Sequence, residues 1–135
     1  MYIISMSLIL KNIILNGKKR DIRIAGCRFQ KIAPKIETAA GDEVIDGSGK
    51  AVFPGFYNLH THAAMSLLKG IGDDKELFSW LSQDIWPREA KFDADIIYAG
   101  TKLAVLEMVK SGTVFFSDMY FEQAAIMKAV AECGI

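Results

Sequence analysis

Pro54-Gly55-Phe56-Tyr57-Asn58-Leu59-His60-Thr61-His62 decides the reading of this chain. It holds the only two histidines among 135 residues. An apolar run behind a Pro-Gly reads as a strand covered on both faces, as in a parallel sheet. Residues two apart on a strand point the same way, so both imidazoles face one side, about 7 Å apart along the backbone. Two neutral imidazoles aimed at one point suit a divalent transition metal. Asn58, His60 and His62 share this face. Tyr57, Leu59 and Thr61 share the other.

Outward from this stretch the pattern differs on its two sides. Before it, residues 7 to 53 read as short strands. Leu8-Ile9-Leu10 and Ile13-Ile14-Leu15 lead into the turn Asn16-Gly17, and Asp21 to Ile24 alternates polar and apolar. Arg28 to Ile32, Val44 to Asp46 and Ala51 to Phe53 are further candidates. Together they predict a small antiparallel module with one polar face. After Pro54, strands alternate with helices. Asp73 and Asp74 offer N-caps for a helix carrying Leu77, Phe78, Leu81 and Ile85, which Pro87 ends. A second helix runs from an Asp93 cap to Gly112. Thr113 to Met119 reads as a buried strand, and a third helix spans Glu122 to Cys133. Strand–helix alternation is the grammar of a parallel α/β sheet, whose sites lie at the carboxyl ends of its strands. The chain thus divides into strands over 1–53 and two strand–helix units over 54–135.

Composition sets the outer limits. Sixteen basic and sixteen acidic residues balance to zero, which argues against nucleic acid and against a charged membrane surface as partners. The apolar start, Met1 to Leu10, has no basic flank and is far short of a membrane span, and Met6 is an alternative start. Cys27 and Cys133 match no CxxC spacing, which points to a reducing, cytoplasmic setting. Cys133, closing a helix, is expected to be buried.

His-x-His alone is a weak signal. Cupin-type sites carry a glutamate a few residues on, in an all-β setting; Ala63 to Leu67 supplies none, and helices follow. The metallo-β-lactamase pattern continues with an aspartate and a third histidine, where Ala64 and Met65 stand. The run Asp46-Gly-Ser-Gly49-Lys-Ala-Val-Phe-Pro54-Gly55-Phe-Tyr-Asn58-Leu-His60-Thr-His62 resembles the N-terminal signature of the amidohydrolase superfamily. Ala63 to Gly70, Pro87-Arg88-Glu89 and Gly112-Thr113 with Asp118-Met119-Tyr120-Phe121 resemble its aminohydrolase branch. That branch contains 5-methylthioadenosine/S-adenosylhomocysteine deaminases and triazine chlorohydrolases.

The resemblance implies the N-terminal part of a metal-dependent (β/α)₈ barrel, preceded by strands of a small β-sandwich domain. A closed barrel takes about 250 residues, so it also implies a portion of such an enzyme. His60 and His62 are the implied ligands of zinc, or of iron in some members. The remaining ligands and the catalytic acid/base are expected beyond Ile135. Glu89 stands where the deaminases bind ribose hydroxyls, and Trp86 is a candidate for the substrate mouth. Asn58 occupies the family's usual aspartate position under the site, and Asp118 ends the second strand on the same side. The implied reaction is hydrolytic deamination of an adenosine-like or other nitrogen heterocycle. Triazine-type dechlorination and guanine-type deamination stand as alternatives. A further alternative is a non-catalytic module that self-associates or pairs with the remaining barrel portion.

Overall fold

The computed structural model describes residues 7–135, so the expectations for Met1 to Met6 lie outside it. The chain forms two compact units, Met1–Pro54 and Gly55–Ile135.

The first unit is a four-stranded sheet in the order β3-β2-β1-β4. Its strands are β1 (Ser7–Leu15), β2 (Lys18–Ala25), β3 (Arg28–Ala33) and β4 (Glu43–Asp46). The Asn16-Gly17 turn joins β1 to β2, with both residues at positive φ (50° and 73°), as such a hairpin requires. Leu8 to Leu10 and Ile13 to Leu15 belong to one strand with an irregularity between Leu10 and Ile13. Asn12 sits there at φ 59°, a region asparagine tolerates better than most residues. Two expectations fail here. β4 pairs with β1 in parallel, so the sheet is mixed, because a long connection rather than a tight turn leads from β3 into β4. Ala51 to Phe53 forms no strand; it makes one isolated bridge, Ala51 to Ile14. Ile9, Ile13, Ile22 and Ile36 form the buried apolar centre.

The second unit pairs β5 (Phe56–Thr61) with β6 (Thr113–Asp118) in parallel, as the alternation predicts. A 3₁₀ turn (Ala63–Leu68) follows β5. Next come α1 (Leu77–Trp80), a π-turn (Leu81–Ile85) and α2 (Trp86–Glu89), then α3 (Ala94–Ser111) and α4 (Gln123–Cys133). Asp93 caps α3 through a 2.9 Å bond from Ile96 N, and Gly112 ends it at φ 85°. Ala64, Ile97, Ala125 and Ile126 form a buried cluster joining the 3₁₀ turn, α3 and α4.

The helix before Pro87 departs from expectation at both ends. Glu76 caps it, accepting from Phe78 N and Ser79 N, while neither Asp73 nor Asp74 does. Pro87 does not stop it, because it lies in the first turn of α2, where its missing N–H costs little. The π-turn leads into that position, with Trp86 N bonding to Leu81 O. The expected burial of β5 and β6 is also not seen: Phe56, Tyr57 and Leu59 are 67, 71 and 74% exposed. Among the described residues these two strands have only each other as sheet neighbours, which leaves apolar side chains facing solvent. Cys133 is exposed although it shares the helix face of Ile126 and Ala129, because it lies in the last turn of α4, past the buried cluster.

Candidate active site

β5 carries His60 near its carboxyl end, and His62 follows as the residue leading into the 3₁₀ turn. Their rings converge, with Nε2 to Nε2 at 3.2 Å and ring planes at 82°. His62 Nδ1 lies 2.7 Å from the Met119 carbonyl. A carbonyl oxygen only accepts, so Nδ1 carries the proton and Nε2 presents its lone pair. Asn58 Oδ1 accepts from the backbone N–H of His60 at 3.3 Å, bracing the strand beneath the pair.

Parallel pairing of β5 and β6 fixes this geometry. Thr61 sits opposite Asp118, and Met119 N donates to Thr61 O at 2.9 Å. Asp118 Oδ1 accepts from Ala63 N at 2.9 Å and thereby caps the 3₁₀ turn from the neighbouring strand. Gly100 on α3 completes the support: a Cβ there would stand 2.8 Å from Ala64 O. The close approach lets the turn after His62 lie against α3.

The pair fits a transition-metal ion. Two imidazole nitrogens bound to one tetrahedral zinc at 2.0–2.1 Å stand about 3.3 Å apart, close to the separation found. The hydrogen bond on His62 Nδ1 is the outer contact that metal-bound histidines carry. Among the described residues no group of three or more His, Cys, Asp or Glu is placed to hold a metal ion, so the pair supplies two donors. At these strand ends two buried polar atoms have no hydrogen-bond partner among the described residues, Thr61 Oγ1 and Asp118 Oδ2.

A groove of about 420 Å³ opens on His62, between Met65, Ile85, Trp86, Glu89 and Tyr120. Trp86 stands at its rim, 51% exposed. Glu89 Oε1 accepts from the Tyr120 hydroxyl at 2.6 Å. Burial, then the Glu89 hydrogen bond and charge, pushes the Tyr120 phenol well above its ordinary value and keeps it a donor. The structure thus brings His62, Trp86 and Glu89 onto one groove, with His60 beside His62. Asn58 and Asp118 brace the backbone on either side of the histidines. A larger depression of about 490 Å³ under residues 69–75 contains none of the predicted site residues. Reading the sequence missed Tyr120 and the Met119 carbonyl. Their position just past the end of the second strand was the available signal.

The histidine pair stands at the carboxyl end of the first parallel strand, where strand–helix sheets carry their sites. Residues 51–135 match the Amidohydrolase family, and the chain belongs to that family. It is 53% identical over 115 residues to 5-methylthioadenosine/S-adenosylhomocysteine deaminase 1 of Archaeoglobus fulgidus, covering 85% of this chain and 27% of the relative. It is 46% identical over 129 residues to the 5'-deoxyadenosine deaminase of Methanocaldococcus jannaschii, covering 95% of this chain and 31% of the relative. The chain therefore spans less than a third of the length of these relatives. Among solved structures, a Xanthomonas campestris adenosine deaminase with bound zinc superposes with a TM-score of 0.83 at 24% identity, over 94% of this chain and 32% of that one. A zinc complex of an Arthrobacter aurescens atrazine chlorohydrolase gives 0.78 at 21%, over 95% and 34%. The fold is the N-terminal part of the amidohydrolase barrel with its preceding strands.

Proposed function

We propose that this chain supplies part of the active site of a zinc-dependent amidohydrolase that deaminates an adenosine-like nucleoside. The observation that carries this reading is the His60–His62 pair. Its Nε2 atoms stand 3.2 Å apart, and the Met119 carbonyl fixes the tautomer of His62. His60 and His62 would hold the ion, with iron as the alternative to zinc. Bound zinc acts as a Lewis acid and lowers the pKa of water to about 7. In hydrolytic deamination a C–O bond forms at the ring carbon, the C–N bond breaks and ammonia leaves. Glu89 accepts hydrogen bonds from the sugar hydroxyls, and Trp86 offers an aromatic wall to the base or sugar. Asn58 and Asp118 hold the strand end and the following turn, keeping the imidazoles aimed at one point. The deaminase names of the relatives support the nucleoside assignment.

The test is zinc content and ammonia release by protein expressed from the intact reading frame, with S-adenosylhomocysteine and 5-methylthioadenosine. Zinc-loaded protein is expected to release ammonia from at least one of them. Zinc bound with no ammonia from either overturns the substrate class, and a triazine and guanine screen then separates the alternatives. His60→Ala and His62→Ala are each expected to weaken zinc binding by at least tenfold in a chelator competition. Unchanged affinity in both would remove the pair as ligands.

A second reading is favoured by the exposed apolar side chains of β5: the chain assembles with copies of itself or with further barrel strands. Light scattering decides it, since a monodisperse monomer contradicts self-assembly. Among the described residues no helix is long and apolar enough to cross a membrane. Both cysteines are free and exposed, in keeping with a cytoplasmic setting.

A further inference from the structure

We infer that Tyr120 is a positioning residue for sugar recognition: its phenol fixes Glu89 so that one carboxylate oxygen remains to accept a substrate hydroxyl in the groove beside His62. The inference rests on the nucleoside reading above. Three observations lead to it. Glu89 Oε1 is taken by the Tyr120 hydroxyl at 2.6 Å, and among the described residues Oε2 accepts no hydrogen bond. The donor is rigid: the Tyr120 ring stacks on Phe121, with centroids 4.4 Å apart and planes at 20°, and packs against the cluster of Ala64, Ile97, Ala125 and Ile126. Tyr120 also directly follows Met119, whose carbonyl holds His62 Nδ1. One dipeptide therefore sets both ends of the groove, the imidazole through Met119 and the carboxylate through Tyr120.

The chemistry explains why such a brace matters. A glutamate side chain turns about three bonds, and an unbraced one must be ordered by the substrate that binds it. A carboxylate whose first oxygen is already tied to a rigid phenol presents its second in a set direction. Recognition then depends on a hydroxyl being present at that place, and a substrate without it gains nothing from the brace. Tyr120 touches Glu89 and not the reacting carbon, so its removal should move substrate binding and not the chemical step.

The test is Tyr120→Phe, which keeps the ring and its stacking. KM is measured in zinc-loaded protein expressed from the intact reading frame, for an adenosine-type nucleoside bearing both ribose hydroxyls and for its 2',3'-dideoxy counterpart. KM for the diol substrate is expected to rise about tenfold, the worth of a hydrogen bond to a charged group. KM for the dideoxy analogue is expected to move less than twofold, with kcat and zinc content retained. An equal loss on both substrates, or a loss confined to kcat, overturns the role of Tyr120 and leaves the deaminase reading standing. Failure of the unmodified protein to turn over either nucleoside overturns that reading, and this inference with it. A readout independent of turnover is the Kd of the same two nucleosides for the zinc-free protein. Tyr120→Phe is expected to weaken binding of the diol about tenfold and of the dideoxy analogue less than twofold. Equal weakening of the two would overturn the inference.

Discussion

In the N-terminal sheet Asp21, 4% exposed, uses both of its carboxylate oxygens. Oδ1 accepts from Asn12 N and Oδ2 from Ile36 N, each at 2.9 Å, and Lys11 Nζ lies 3.1 Å from Oδ2. At the β5–β6 strand ends Asp118 uses one oxygen and leaves the other buried without a partner, as is the hydroxyl of Thr61 opposite it. Buried polar groups are nearly always paired, and the exceptions call for an explanation. The first carboxylate is fully spent on holding a sheet together. The second holds the N–H of Ala63, the residue after His62, and keeps part of its capacity unspent. The contrast separates structural polarity from polarity held in reserve for a site.

Breaking the spent carboxylate should produce the largest effect. Asp21→Ala removes the partner of two backbone N–H groups and of Lys11 at once, and is expected to cost about 3 kcal/mol. Urea unfolding followed by far-UV circular dichroism reads it, together with faster amide exchange in β1 to β3. Acid probes the same contact. Burial alone would raise the Asp21 carboxyl, but the N–H groups of Asn12 and Ile36 and the Lys11 ammonium outweigh it and hold it below its ordinary value. Asp42 is lowered too, by the Ser7 hydroxyl, Ala39 N–H and Arg23. A carboxyl depressed in the folded state adds stability above its unfolded pKa of about 3.9 and loses it as pH falls through the folded one. The sheet should therefore weaken below about pH 4, and the variant should lose the Asp21 share of that slope. An acid profile unchanged by the substitution would contradict this assignment.

The two regions also differed in how far the sequence disclosed them. The Asn16-Gly17 hairpin, the Asp93 cap and the Gly112 stop were legible because each is set by local chemistry within a few residues. So was the shared face of His60 and His62, which follows from strand period alone. The parallel β1–β4 pairing was not legible, since register between distant strands leaves no local mark. The continuation of the helix through Pro87 was hidden because a proline reads as a stop unless its place in a first turn is known. Tyr120 escaped for a similar reason. Its partner Glu89 lies 31 residues away, and only the packing of the 3₁₀ turn, α3 and α4 brings the two together.

Gly100→Ala sharpens the comparison from the packing side. A Cβ there meets Ala64 O at 2.8 Å and Ala64 Cα at 3.0 Å, backbone atoms that cannot swing aside. The 3₁₀ turn has to retreat from α3, at a cost of about 1–3 kcal/mol. Because Ala64 is two residues from His62, zinc affinity should fall along with the melting temperature. An equivalent loss of stability from Asp21→Ala should leave zinc affinity unchanged. If Gly100→Ala lowered the melting temperature without touching zinc affinity, the turn would not be what aims His62.

The smallest effect is the most discriminating, because it runs against the usual direction of mutation. Thr61→Val replaces a buried hydroxyl that has no partner with a methyl group of the same shape. Substituting an unsatisfied polar group by an apolar isostere removes a desolvation penalty, so stability should stay level or rise by up to about 1 kcal/mol. Val suits a strand as well as Thr does, so propensity does not confound the result. A hydroxyl that is a mere imperfection leaves activity untouched when removed. A hydroxyl reserved for the assembled site lowers activity while stability rises. The melting temperature and kcat/KM of this one variant therefore need to be read together. A fall in stability would mean that the Thr61 hydroxyl is paired after all, and the contrast with Asp21 would disappear at that position.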